Sequence, residues 1–479
     1  MKHPIPYPKK MTYTGKTVPA TFLAEPFDAL FAPAYRVFSQ YARQAFGNIV
    51  DSGALTLVLD ETLGDGYRLS VGEKTVLSAA NNTGMNYAFA TLLQLVEVVD
   101  GNAVFPECEI ADKPDSQWRG VMLDLARCYH EMEHLYAVAD LCWLLKINRL
   151  QLHFTDDCAV RFPFISVPKA VSKKHHTKQE LAEFAAYCKE RGIVIVPEID
   201  APGHFWAFSK AYPALFGLKP DGLQGAEGNL SSIMRVDSSV FDTLKAMYAE
   251  IAEVFPDSPW IHIGGDEAAV TQWGNCAVSE DYRKEQGLRD VHEMYGHCVA
   301  KLAQMILDMG RIPAVWEGFD EQCNDMIPKN TLVFAWESMY QLAPSLLAGG
   351  FEVVNASWQP LYIVTERRMW DAEEILKWEK NVWRNWNRKS AAFEKPIVVP
   401  KSSAIAGGQL CAWGDAMRPE IAFAPRREML RREFANLYER APAFAQKVWT
   451  SYDSPDWEPF RKNMAQLDEL CRQRLHIEV

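Results

Sequence analysis

Eight short, apolar, β-rich segments recur along the chain, and helical patterns separate most of them. They are Arg119–Leu125, Arg149–Phe154, Ile193–Ile199, Trp260–Ile263, Ile312–Trp316, Leu332–Trp336, Phe351–Ala356 and Gln409–Trp413. The helical patterns include Leu135–Leu145, Glu180–Arg191, Phe241–Phe255, Val291–Met309 and Glu428–Tyr438. Strands that are apolar throughout need helices to cover them, and eight alternations in one domain predict a closed (β/α)8 TIM barrel. An open doubly wound sheet is the alternative. No G-x-G-x-x-G follows the first strand and there is no Walker loop, so nothing supports a nucleotide site.

Residues 1–115 read as a small N-terminal α/β domain placed before the barrel of 116–479. Phe27–Phe46 has an amphipathic pattern. Leu55–Leu59 and Tyr67–Val71 read as strands joined by the turn Leu63-Gly64-Asp65-Gly66, with Val76–Ala79 a third. Met85–Val99 reads as a helix capped by Asn82 or Thr83. Asp112–Asp115, within ADKPDS, reads as a linker, and helical Ser454–His476 closes the chain. The long, Gly-rich loop His204–Asp237 is expected to shape a cleft.

Of the 479 residues, 48% are hydrophobic and 23% charged, and the net charge is -12. That acidity argues against nucleic acid and anionic membrane as partners. Met1–Lys10 has no apolar core like that of a secretory signal, and no run approaches membrane-spanning length. The ten scattered cysteines, none in a C-x-x-C pair, read as reduced thiols of a cytoplasmic protein. Two barrel helices with exposed apolar residues could pair into a homodimer.

At the end of the fourth segment, Gly264 and Gly265 precede adjacent acids, Asp266 and Glu267. Neighbouring carboxylates repel, and taking either out of water is costly. A lone pair would read as a solvated acidic turn. The other strand ends, where a barrel of this kind carries its active site, change that reading. Strand 1 ends in Asp124 and Arg127, strand 2 in Asp156-Asp157, and strand 3 delivers Glu198, Asp200 and His204. Strands 5 and 6 end in Trp316-Glu317 and Trp336-Glu337. Strand 7 leads to Trp358 and Tyr362, and strand 8 ends in Trp413 and Asp415. Taken singly, each has a plain structural explanation; packing alone does not explain all eight.

Five ordered segments, RGVMLDLAR (119–127), HFTDD (153–157), PEIDAPGH (197–204), HIGGDE (262–267) and GQLCAWGD (408–415), resemble the β-N-acetylhexosaminidases of glycoside hydrolase family 20. The resemblance covers about residues 116 to 450, and the N-terminal unit resembles the small domain that often precedes this barrel. It implies an exo-acting enzyme that removes terminal β-linked N-acetylglucosamine or N-acetylgalactosamine from an oligosaccharide or glycoside. The substrate's own 2-acetamido oxygen attacks the anomeric carbon, an oxazolinium ion forms, and water opens it with retention. Glu267 is then the general acid and base, and Asp266 orients the acetamido group and stabilises its positive charge. A free Glu titrates near about 4.3, so Asp266 and an apolar wall are expected to raise Glu267.

By the same resemblance Arg127 grips sugar hydroxyls, and Asp156, Asp200 and His204 support Glu267. Trp316, Trp336 and Trp413 line an apolar pocket, Tyr362 positions the acetamido carbonyl, and Asp415 meets the 4- or 6-hydroxyl. No cofactor and no metal are expected. Where many members carry Asp or Asn two residues after the tyrosine, this chain has Val364, which leaves the gluco/galacto preference open. Three rivals remain at this level. Asp124, Asp156, Glu198, Asp200 and Asp266 could ring Mg²⁺ in a metal-dependent barrel lyase, although no lysine base ends any strand. The barrel could bind carbohydrate without catalysis, or a separate carboxylate could act as nucleophile.

Overall fold

The computed structural model describes residues 3–46, 55–218, 231–364, 369–417 and 424–478. Part of the expected cleft loop, 219–230, lies outside the described residues.

The N-terminal unit is a sheet with the order Lys10–Pro19, Asn102–Asp112, Tyr67–Val71, Thr75–Ala79, Leu55–Leu59, and Glu97–Val99 pairs with Asn102–Asp112. Leu55–Leu59 and Tyr67–Val71 do not pair with each other. Thr75–Ala79 lies between them, parallel to the first and antiparallel to the second. Helix Asn82–Leu95 lies against these strands, with Phe89 stacked on Phe38 of helix Ala32–Phe46 at 4.4 Å. Its cap is Asn81, not Asn82 or Thr83: the Asn81 Oδ1 accepts from the Gly84 N–H at 2.9 Å, satisfying one of the open donors of the first turn. The helix stops at Leu95, short of the expected Val99, because Glu97–Val99 joins the sheet. Asp112, expected in the linker, belongs to the last strand of this sheet.

All eight segments of the second unit form strands, each parallel to its neighbours: Trp118–Asp124, Arg149–His153, Val194–Glu198, Trp260–His262, Ile312–Trp316, Leu332–Ala335, Glu352–Asn355 and Ile405–Ala412. The last pairs with both the seventh and the first, so the sheet closes. This is a (β/α)8 TIM barrel, and the open sheet is excluded. Helices Met132–Leu144, Lys178–Glu190, Ser238–Val254, Val291–Asp308 and Arg426–Trp449 lie around it.

Trp118 meets Trp260 and Phe334 edge-on at 5.3 Å inside the barrel. Val196, Ala314, Val354 and Cys411 pack with them. Aromatic bulk therefore fills the interior, and the polar residues gather at the carboxyl ends of the strands. At the opposite end a cavity of about 560 Å³, lined by Asp65, Arg119, Arg149 and Asp257 among others, lies between barrel and small sheet. None of the candidate site residues lines it.

Candidate active site

The turn after the fourth strand brings the two acids to the rim in different environments. Gly264 and Gly265 have φ of +72° and +100°, and a Cβ on Gly264 would lie 1.8 Å from the Asp200 Oδ1. Only glycine fits that approach. It allows Asp200 Oδ1 to accept the Gly265 N–H at 3.1 Å, tying the third strand end to the fourth. Glu267 itself sits at φ +48°, in the sparsely populated left-handed region, as does His204 at +50°. Both side chains are thus aimed by backbone that the surroundings hold in place. The Asp266 side chain is 8% exposed and that of Glu267 48%. One acid is enclosed and the other faces the opening.

His204 joins the cluster. Its Nε2 is 3.3 Å from Glu267 Oε2 and 3.8 Å from Asp266 Oδ2, and its Nδ1 is 3.3 Å from Asp156 Oδ2. Burial opposes a charge on this imidazole, but Asp200, Glu267 and Asp266 override it and hold its pKa well above the ordinary value. These carboxylates favour the imidazolium form of His204. Arg127 places Nη1 2.8 Å from Asp124 and Nη2 2.7 Å from Asp156, with its guanidinium 5.1 Å from the Trp413 ring centre. Burial pushes Asp156 up; Arg127, His153 and His204 reverse this and keep it ionised. Asp415, half-exposed, is 3.9 Å from the Arg127 Nε.

The expected order of the two acids' pKa values is reversed. The His204 contact holds Glu267 below its usual value, against burial. Burial raises Asp266; His204 opposes this, and Glu267 adds to it. The expectation counted only the neighbouring acid and an apolar wall. The contact with His204, 63 residues earlier in the chain, acts in the opposite direction and outweighs burial.

The aromatic wall is assembled from four strand ends. Tyr362 stacks on Trp336 at 5.9 Å with rings 8° apart. Trp358 lies 5.1 Å from Tyr362, and Trp413 lies 6.0 Å from Tyr362 and 5.8 Å from Trp316. Trp316 forms the floor, fully buried, its indole N–H donating to Glu198 Oε1 at 2.6 Å. Burial opposes the Glu198 charge, but His153 and His262, 3.0 and 3.3 Å away, hold it ionised. The Tyr362 hydroxyl, the Trp413 Nε1 and the Asp266 Oδ1 are buried without a well-formed hydrogen bond. Buried polar atoms are usually satisfied, so such a cluster marks a place built to meet another molecule.

Thus Asp156, Asp200, His204, Asp266 and Glu267 meet around one point, with Arg127 and Asp415 on one flank and Trp316, Trp336, Trp413 and Tyr362 forming the wall. Sequence reasoning gave no role to Trp386, which lies edge-on to Trp358 at 5.3 Å, or to the supporting histidines His153 and His262. Those histidines stand in the quoted motifs; nothing comparable marks Trp386. Glu337 also received no role: burial, then Glu267, Glu317 and Asp266, push its carboxyl up to about 8. Several acid–histidine sets here come close enough to share a cation, such as Asp200, His204 and Asp266. Arg127, His204 and His153 already supply positive charge among these carboxylates.

The family model Glycosyl hydrolase family 20, catalytic domain, matches residues 117–452, and that for domain 2 of the family matches residues 5–113. A β-hexosaminidase of Akkermansia muciniphila is 29% identical over 441 residues, covering 87% of this chain and 85% of that protein. One from Vibrio furnissii is 31% identical over 398 residues, covering 76% of this chain and 64% of its own length. The crystal structure of a GH20 exo β-N-acetylglucosaminidase from Vibrio harveyi with N-acetylglucosamine superposes with a TM-score of 0.81. It is 22% identical and covers 98% of this chain and 76% of that one, which is a likeness of fold. The chain belongs to glycosyl hydrolase family 20 and is a glycosidase of the β-hexosaminidase class, a (β/α)8 barrel preceded by a small N-terminal domain.

Proposed function

We propose that the enzyme removes terminal β-linked N-acetylglucosamine or N-acetylgalactosamine by substrate-assisted retaining hydrolysis. The chemistry belongs to residues 116–479, with 1–115 a separate domain. The observation that carries this reading is the pairing of an enclosed carboxylate, whose Oδ1 has no partner, with an accessible neighbour and an unpartnered tyrosine hydroxyl in an aromatic enclosure. A carboxylate nucleophile would need to reach the anomeric carbon. Asp266, short and enclosed, is better suited to hold a group that the substrate brings.

In the first step the acetamido oxygen attacks the anomeric carbon as the glycosidic bond breaks, and Glu267 gives its proton to the departing oxygen. Asp266 accepts the acetamido N–H and balances the positive charge of the oxazolinium ring. Tyr362 donates to the acetamido oxygen and fixes its line of attack. Trp316, Trp336 and Trp413 enclose the methyl group and one sugar face. In the second step water attacks the same carbon, Glu267 takes its proton, and the acetamido group re-forms with retention. Arg127 and Asp415 hold sugar hydroxyls; Asp156, Asp200 and His204 hold Glu267 and Asp266 in place.

The His204 contact bears on the proton that this scheme needs. The acid step needs a proton at Glu267, and His204 carries one 3.3 Å away. The pair shares that proton, and a leaving oxygen that draws it to Glu267 leaves a neutral imidazole behind. A thiazoline mimic of the cyclic intermediate tests the proposal. Inhibition far tighter than substrate binding supports it; inhibition no tighter than by the released sugar overturns it.

A further inference from the structure

On the outer side of the barrel, away from the sugar site, His130, His134 and Glu433 bring three donor atoms within 4.8 Å of one another. His130 and His134 stand at the start of helix Met132–Leu144, and Glu433 projects from helix Arg426–Trp449. All three are buried. The His130 Nε2 is 2.6 Å and the His134 Nε2 3.1 Å from the same carboxylate oxygen of Glu433.

A hydrogen-bonded His130–Glu433 pair would account for one of these contacts. It leaves the rest unexplained. Neither nitrogen of His134 has a hydrogen-bond partner, although one lies 3.1 Å from a carboxylate oxygen, and the second oxygen of Glu433 has none either. Buried polar atoms in that state call for an ion or water. A nitrogen close to an oxygen but not directed at it is what results when both face a common third centre. The other nitrogen of His130 is 2.7 Å from the Cys128 carbonyl, the arrangement that orients a metal-bound imidazole.

We infer that His130, His134 and Glu433 form a zinc site that joins the first and last helices of the barrel, with one coordination position left for a further donor. Two imidazoles and a carboxylate suit Zn²⁺, whereas Mg²⁺ and Ca²⁺ prefer oxygen alone. Binding displaces the proton shared by His130 and Glu433. This departs from the expectation of no metal, and the site is distinct from the catalytic one. Its consequence for catalysis is indirect: the site lies three residues beyond Arg127, so it would anchor the loop that carries that guanidinium.

The test uses the full chain stripped with chelator and refilled with Zn²⁺ or Co²⁺. The expected results are one metal per chain, the visible absorption of tetrahedral Co²⁺, and a Tm that falls by several degrees in chelator and recovers with Zn²⁺. His134→Gln and Glu433→Gln should each lower the affinity at least tenfold, while far-UV circular dichroism remains that of the parent. If either variant fails to fold, the Co²⁺ spectrum of the parent still decides the question. No stoichiometric binding after refilling, an octahedral Co²⁺ spectrum, or variants that bind as tightly as the parent would overturn the inference.

Discussion

Replacing Tyr362 by Phe separates catalysis from folding, because the two effects should have opposite signs. The ring is buried and enclosed by Trp336, Trp358 and Trp413, and Phe keeps all three contacts. Only the hydroxyl goes. In the free enzyme it faces the Trp413 side chain without a well-formed bond. An unsatisfied buried hydroxyl costs on the order of 1–3 kcal/mol, so its removal should leave stability unchanged or raise it by about 1 kcal/mol. At ~2 cal/mol/K per residue, a chain of this size then shifts in Tm by only about 1 °C. In the transition state the same hydroxyl donates to the attacking acetamido oxygen. Loss of one such preorganised donor typically lowers kcat by about 10²–10³-fold, or ~3–4 kcal/mol. Steady-state kinetics on an aryl N-acetylglucosaminide, paired with calorimetry on the same preparation, reads both quantities. An unchanged kcat would remove Tyr362 from the mechanism. A Tm drop of many degrees alongside the lost activity would show that the hydroxyl is structural.

Three further outcomes follow from the same geometry. Glu267→Gln should slow substrates with poor leaving groups by more than about 10²-fold and acidic phenols far less, because these need little protonation; equal losses across a leaving-group series would count against the acid role. Asp266→Asn should weaken thiazoline affinity together with kcat, since a neutral amide cannot balance the cation, and unchanged affinity measured by calorimetric titration would contradict it. Glu337 has its folded pKa raised to about 8, so wild-type stability should decline as pH rises from the ordinary carboxylate range through about 8. Glu337→Gln should therefore gain stability over wild type at pH 9 but not at pH 4, as read by denaturant midpoints; a gain of the same size at both would refute the assignment.

The barrel was legible because its parallel strands are short apolar runs, each ending in polar or aromatic residues, so strand existence and site location share one signal. Boundaries were less legible where tertiary contacts decide them. The pattern Glu428–Tyr438 marks only the first half of a helix that runs from Arg426 to Trp449, past Pro442. Most of its last ten residues are buried, and that burial outweighs the proline's local cost. Similarly, Met85–Val99 reads as one helix because nothing local shows that Glu97–Val99 pairs in the sheet. Within the site, residue identities followed from motif order, whereas the electrostatics did not. The titration of Glu267 depends on an imidazolium whose own charge depends on Asp200, Glu267 and Asp266, and such mutual dependence exists only once the strand ends converge.

The central claim is that the sugar supplies its own nucleophile to a pocket in which Asp266 receives it and Glu267 moves the proton. The most direct measurement compares hydrolysis of matched aryl β-glycosides that differ only in bearing a 2-acetamido or a 2-hydroxy group. Turnover of the 2-acetamido series with little or none of the 2-hydroxy series is the predicted result. Comparable kcat for both would contradict the claim, because a 2-hydroxyl cannot form the cyclic intermediate.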